Sequence, residues 1–203
     1  MIRERIIQQA TDLFSLYGIK NVSMDDLASS LGISKRTIYQ NFKNKEDILK
    51  SCILASRENR TRRIIEIMSQ SENVVYGCLQ IINDYKDTRL PATIFWEDIY
   101  KYYPEVYQCI LEDAEKSNIY LKQLLKEGIK DNYFRKKINF DETVFMLDIS
   151  TCIKICGIYS VRVSLSRIDL ICNMMINMLR GISTPKGVEI IDQYIANLPH
   201  SNN

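Results

Sequence analysis

Histidine is almost absent from this sequence: His200 is the only one among 203 residues. An imidazole-based catalytic triad and a nitrogen–sulfur zinc site therefore lack their material. Six cysteines are present, Cys52, Cys78, Cys109, Cys152, Cys156 and Cys172, but there is no CxxC pair and no dense disulfide framework. That scatter fits a reducing compartment and small buried thiols. Cys152 and Cys156, four apart on one helix face, leave a thiol-based redox sensor as the exception. No apolar run approaches the roughly 18 residues that a membrane span requires. Charges interrupt the apolar residues of MIRERIIQQA, so the opening stretch does not read as a secretory signal. The expected location is the cytoplasm, with no membrane partner. Clustered acid–base groups are missing too, so no catalytic residue, metal ligand or cofactor is assigned and no enzyme is expected.

A strong charge of one sign is also missing. The net charge is only +2, from 27 Lys and Arg against 25 Asp and Glu. Residues 1–50 carry that whole excess, with eight basic and six acidic side chains. This falls short of the basic stripe of a strong non-specific nucleic-acid binder. The overall composition, 46% hydrophobic and 26% charged, is that of a soluble protein with a real core.

Helical periodicity runs through nearly the whole chain. Ile6, Ala10, Leu13, Phe14 and Tyr17 mark the apolar face of a first helix that Gly18 ends. Ser23 with Asp26 three residues later forms a variant of the capping box, opening a short helix with Met24, Leu27, Ala28 and Leu31 on one face. Gly32 suits the left-handed turn of a tight helix–helix junction. Ser34 then caps a third helix with Ile38 and Phe42 inward, and Asn44 caps a fourth that reaches about Met68. Glu46 and Asp47 lie in the fourth helix's first turn, where the helix dipole favours them. Further helices are predicted near 73–87, 91–102, 104–130, 141–159, 166–182 and 186–198, with Pro91, Pro104 and Pro185 in first-turn positions. YSVRVSLS, 159–166, alternates as a strand would, but stands alone and is read as a helix end and connector. The fold class is all-α: an N-terminal three-helix domain over 1–50 and a larger helical domain over 51–203.

Helix, glycine turn and short helix make the layout of a helix-turn-helix, whose second helix enters the DNA major groove. With Ile38 and Phe42 inward, a rotation of about 100° per residue turns Arg36, Thr37, Tyr39 and Gln40 outward, with Lys35 at the helix start. Arginine can pair with guanine, glutamine with adenine, and a threonine methyl can meet thymine. Tyr39 and Lys45 suit phosphates, which fix register without reading sequence. On charge pattern alone, the same residues serve equally well as the wet face of an ordinary helix.

Ala10, Leu13-Phe14, Tyr17-Gly18, Ser23-Met24, Asp26-Leu27-Ala28 and LGISKRTIYQNFKNKEDIL, read together, strongly resemble the DNA-binding domain of tetracycline-repressor (TetR) family regulators. The resemblance runs from Ile6 to about Leu49 and includes the family's tyrosine-x-x-phenylalanine followed by lysine, here Tyr39, Phe42 and Lys45. It implies that Ser23, Lys35, Arg36, Thr37, Tyr39, Gln40, Asn41 and Lys45 stand where the family contacts its operator. Arg36 departs from the pattern, since the family often has glycine there; the arginine suggests an added base or phosphate contact.

Beyond about residue 55 the resemblance is one of helix order only. Phe145, Ile149, Cys152, Cys156 and Tyr159 line one late helix; Ile168, Ile171, Met175, Met178 and Ile182 line the next. A single internal core would explain both faces. The resemblance implies instead a four-helix interface with the same pair from a second copy, a twofold homodimer. FWEDIYKYYPEVY, 95–107, concentrates aromatic residues that are expected first as core. If they line an effector pocket, Trp96, Tyr100, Tyr103 and Tyr120 offer flat apolar surfaces with polar tips. RENRTRR, 57–63, reads as solvated helix surface.

The function expected from these readings is transcription regulation. A homodimeric repressor would bind a near-palindromic double-stranded DNA operator and leave it when a small, mainly hydrophobic or aromatic effector binds. The alternatives are a ligand-independent or protein-regulated DNA binder of the same fold, and the thiol-based redox sensor.

Overall fold

The computed structural model describes residues 1–86, 90–147 and 166–197. Ten helices are described: α1 Ile2–Tyr17, α2 Met24–Leu31, α3 Lys35–Asn41, α4 Lys45–Gln70, α5 Val74–Lys86, α6 Thr93–Tyr102, α7 Pro104–Lys130, α8 Phe140–Leu147, α9 Arg167–Ile182 and α10 Pro185–Ala196. The fold is all-α. The extended pairing among the described residues is a single bridge between Phe134 and Ser183. No helix among those residues is long and apolar enough to cross a membrane.

The helix ends follow local chemistry. Gly18 stops α1 at a φ of 83°, and an added Cβ there would lie only 3.0 Å from Ile94 Cγ2 and 3.2 Å from Asp98 Oδ2. Pro104 and Pro185 open α7 and α10 as first-turn prolines. Pro91 does not: α6 starts at Thr93, with Ala92 as its N-cap. α4 runs unbroken to Gln70, two residues past the expected end. The expected helix over 141–159 is described from Phe140 to Leu147; its remainder and the strand-like stretch 159–165 lie outside the described residues.

Two compact units divide the chain, Met1–Arg62 with Arg89–Asp113, and Arg63–Thr88 with Ala114–Asn203. The first is larger than the expected domain 1–50. Its core contains Ile6, Ala10, Phe14, Leu27, Ile38, Phe42, Ile48 and Leu49 from the N-terminal helices. Phe95, Ile99, Val106 and Ile110, from α6 and the start of α7, join the same cluster. Three short helices have too little apolar surface to close a core alone, and these four residues supply more.

The second unit is built on α5. Both α9 and α10 pack on it. Val75, Leu79 and Ile82 are buried on α5, Ile171, Cys172, Met175 and Leu179 on α9, and Ile191 on α10. Phe134, 1% exposed, fits against Gly128, where any Cβ would overlap its ring at 2.2 Å.

Candidate nucleic-acid interface

The candidate interface begins with a double cap. Ser23 Oγ accepts the Asp26 N–H at 3.1 Å, while Asp26 Oδ2 accepts from the Ser23 N–H at 2.8 Å and from its hydroxyl at 2.7 Å. These hydrogen bonds favour the ionised carboxylate and hold the Asp26 carboxyl below its ordinary pKa. α2 ends at Gly32 in the left-handed conformation, φ 65° and ψ 33°, and the Ile33 N–H donates to the Ala28 carbonyl at 3.1 Å. Ser34 caps α3 two residues later: its Oγ accepts the Thr37 N–H at 3.1 Å. The chain therefore turns from α2 to α3 in as few residues as the helix-turn-helix needs.

Ile38 is the one fully buried residue of α3, and Phe42 follows it into the core. Lys35, Arg36, Tyr39 and Gln40 are exposed. The Arg36 and Gln40 side chains make no hydrogen bond or ion pair with any described residue and are free to reach a partner. Four other residues of the expected operator set are occupied within the protein. Thr37 is half-buried, with its hydroxyl 2.9 Å from Ser34 Oγ, which corrects its expected outward placement. The Asn41 amide donates to the Thr37 carbonyl at 2.8 Å, and the Ser23 hydroxyl is spent on Asp26. Lys35 Nζ donates to Asp25 Oδ2 at 2.9 Å.

Lys45 heads α4 in a half-buried position, its ammonium 5.9 Å from the Phe14 ring centre. Burial pushes its pKa down, and the charges of Asp98 and Asp26 oppose that shift. Asn44 caps α4, accepting the Asp47 N–H at 2.8 Å, and Asp47 returns the bond by accepting the Lys43 N–H at 3.0 Å.

Two positioning residues escaped sequence reasoning. Arg3 donates to the Asn41 carbonyl at 2.5 Å and to Ser51 Oγ at 3.1 Å, and its guanidinium lies 4.1 Å from the Phe42 ring centre. It thereby ties α1 to the C-terminal end of α3, where a cation also meets the helix dipole. Nothing in the spacing of α1 signals this contact. Asp98 is 5% exposed and accepts the Lys20 N–H at 2.8 Å, fixing the loop between α1 and α2 from α6. Its burial was signalled, since Asp98 shares the apolar face of Phe95 and Ile99, but its partner was not.

The aromatic candidates are not gathered in one place. Trp96 and Tyr103 pack against the core of the first unit, with the Trp96 ring edge-on to Phe95 at 5.1 Å. The buried Trp96 indole N–H has no hydrogen-bond partner among the described residues. Tyr100 is 71% exposed, and Tyr120 is a half-buried residue of the second unit. A cavity of about 300 Å³ in that second unit is lined by Glu72, Asn73, Tyr76, Ile190, Gln193, Tyr194 and Asn197 instead.

Among the expected interface residues, Ile149, Cys152 and Cys156 lie outside the described residues. Phe145 is 63% exposed, and Ile168, Met178 and Ile182 are half-buried. Ile171 and Met175 must be withdrawn: they are 0% and 7% exposed within a single chain, already covered by its own core. Burial pushes the thiols of Cys52 and Cys78 up to about 11 and about 12, where neither forms much thiolate at neutral pH.

Comparison with known proteins follows the same geometry. Residues 6–52 match the family model described as bacterial regulatory proteins, tetR family. The HTH-type transcriptional regulator YhgD of Bacillus subtilis (strain 168) is 29% identical over 133 residues, covering 63% of this chain and 69% of the relative. An HTH-type transcriptional regulator of Staphylococcus aureus (strain USA300) is 44% identical over 46 residues, 23% of this chain and a quarter (25%) of its own length. Among solved structures, a transcriptional regulator from Saccharomonospora viridis in complex with choline has a TM-score of 0.74 at 20% identity, covering 90% of this chain and 98% of that one. That likeness is one of fold, whereas the head is matched residue by residue. Over residues 6–52, then, the chain carries the N-terminal domain of the tetR family of bacterial regulatory proteins, and the relatives it matches there are HTH-type transcriptional regulators.

Proposed function

We propose that the protein is a homodimeric repressor that leaves a near-palindromic DNA operator when a small, mainly hydrophobic or aromatic effector binds. The observation that carries the reading is α3, capped, anchored by Ile38 and Phe42, and presenting Arg36, Tyr39 and Gln40 unengaged. Arg36 and Gln40 read base edges, while Tyr39, Lys35 and Lys45 meet phosphates. Residues 1–50 read DNA, and residues 51–203 bind the effector and pair the two copies. Two heads related by a twofold axis meet half-sites about one helical turn apart.

Phe145 and Met146, both more than half exposed, support the outer face of α8 as part of the pairing surface. A protein of the same fold holds choline, which supports small-molecule binding as a capacity of this fold. The buried, unpartnered Trp96 N–H supports an effector with a hydrogen-bond acceptor as well as an aromatic body. The effector acts only through different affinities for the DNA-competent and released states. α4, unbroken from Lys45 to Gln70, is the element proposed to carry that difference.

Genome-wide footprinting with the purified protein tests the DNA-reading role. The expected result is competitor-resistant protection of near-palindromic sites; protection of none would sink it. Within such a site, Arg36→Ala relaxes sequence preference by about 1–3 kcal/mol at one position of each half-site. Lys45→Ala weakens all duplexes evenly and flattens the salt dependence by about one ion. Equal behaviour of the two variants would overturn the division between base readers and phosphate contacts.

A further inference from the structure

We propose that Asp25 is an internal competitor for DNA phosphate, holding Lys35 at the start of the reading helix until a duplex displaces it. This rests on the DNA-reading role proposed above for α3. The 2.9 Å contact between Lys35 Nζ and Asp25 Oδ2 is the only ion pair joining α2 to α3 among the described residues. The side chains are 45% and 71% exposed for Lys35 and Asp25 respectively. A pair so open to water contributes little to folding and exchanges readily.

Asp25 stands in the first turn of α2, where the helix dipole favours a carboxylate, but it takes no part in the cap. α2 is capped by Ser23 and Asp26, α3 by Ser34, and Leu27, Ala28 and Ile38 pack in the core beneath them. Asp26 spends its oxygens on the Ser23 N–H and hydroxyl, whereas the described contact of Asp25 is Lys35 alone. The hydrogen bond from Lys35 to Asp25 also pulls the lysine pKa up, as pairing with a carboxylate should.

The exchange is one of ionic partners. When a phosphate oxygen takes the Lys35 ammonium, Asp25 returns to water and one protein cation that would otherwise be fully available has been partly neutralised. Fewer counterions are then released from the duplex than Lys35 alone would release. Asp25 thereby lowers the electrostatic part of binding, which dominates on sequences that Arg36 and Gln40 do not recognise. A head with a net excess of only two positive charges over residues 1–50 is kept from settling on any duplex it meets.

The test uses the full chain and a short mixed-sequence duplex, titrated by fluorescence polarisation across a salt series. Asp25→Asn keeps the side-chain shape and removes the charge. It should bind about three- to tenfold tighter at low salt, with a salt slope steeper by up to about one. In a Lys35→Ala background the same change should bring no gain, because the effect acts through that lysine. A rise in affinity cannot come from unfolding, and Asp25→Ser provides a second neutral variant suited to a helix start. Unchanged or weaker binding by both neutral variants, or a gain that persists without Lys35, would overturn the proposal. If the wild-type chain binds neither this duplex nor any genomic site, the DNA-reading role itself fails, before any variant is compared.

Discussion

α3 and α9 spend their side chains in opposite ways. α3 has seven residues and buries one of them, Ile38; Thr37 and Asn41 spend their polar groups on Ser34 and on the helix backbone, and Lys35, Arg36, Tyr39 and Gln40 remain outside. α9 has sixteen residues and buries Ile171, Cys172, Met175 and Leu179 against its own unit, with further apolar side chains half-covered around them. A helix with a narrow apolar stripe announces its outer face, because only one orientation keeps the stripe dry. A helix that is apolar on several sides has many acceptable orientations, and its neighbours choose among them. That is why the spacing reading of α3 placed Arg36, Tyr39 and Gln40 correctly on the outside, whereas the reading of α9 assigned Ile171 and Met175 to a partner's face.

The largest effects should come from the buried anchors of each region. Phe42→Ala should cost about 3–5 kcal/mol and abolish DNA binding, because Phe42 fixes the end of α3 and carries the Arg3 guanidinium on its ring. Leu179→Ala, 1% exposed on α9, should cost about 2–5 kcal/mol, both losses being read by urea titration. A loss under 1 kcal/mol at either position would break the assignment of that side chain to a core.

Outer faces should respond without loss of fold. Phe145→Asp on α8 is expected to raise the dissociation constant of the proposed homodimer at least about tenfold, read by sedimentation, while leaving the melting temperature of the monomer nearly unchanged. An unaltered dimer would move the pairing surface elsewhere. The smallest effect belongs to the caps: Ser23→Ala should lower stability by about 1 kcal/mol, with a similar proportional loss of DNA affinity. A loss of affinity far beyond that would return Ser23 to direct DNA contact, in place of the capping role its hydrogen bonds describe.

Much of the head was legible residue by residue. Ser23, Gly32, Ser34 and Asn44 are punctuation with local causes, since each satisfies or reshapes backbone within a few residues of itself. Contacts from distant chain positions were not legible. Arg3 reaches Asn41 and Ser51, Lys35 reaches Asp25, and Asp98 reaches back to Lys20 across most of the head. No periodicity encodes such pairs, because side-chain reach across two helices depends on how those helices cross. The occupation of Thr37 and Asn41 was missed for a related reason: a small polar side chain one turn from a cap can spend its polar group locally, Thr37 on Ser34 Oγ and Asn41 on the Thr37 carbonyl.

By itself the sequence determined the helical class, the positions of most helix ends, the glycine turn between α2 and α3, and the outer face of α3. Those features follow from local propensity, capping and a spacing that repeats every turn. Only the tertiary structure decided that α6 and the start of α7 help close the first core, that α9 turns Ile171 and Met175 inward, and that Lys35 is held by Asp25. Those outcomes depend on which surfaces meet, and the free energy of burial or of an ion pair exists only after they have met.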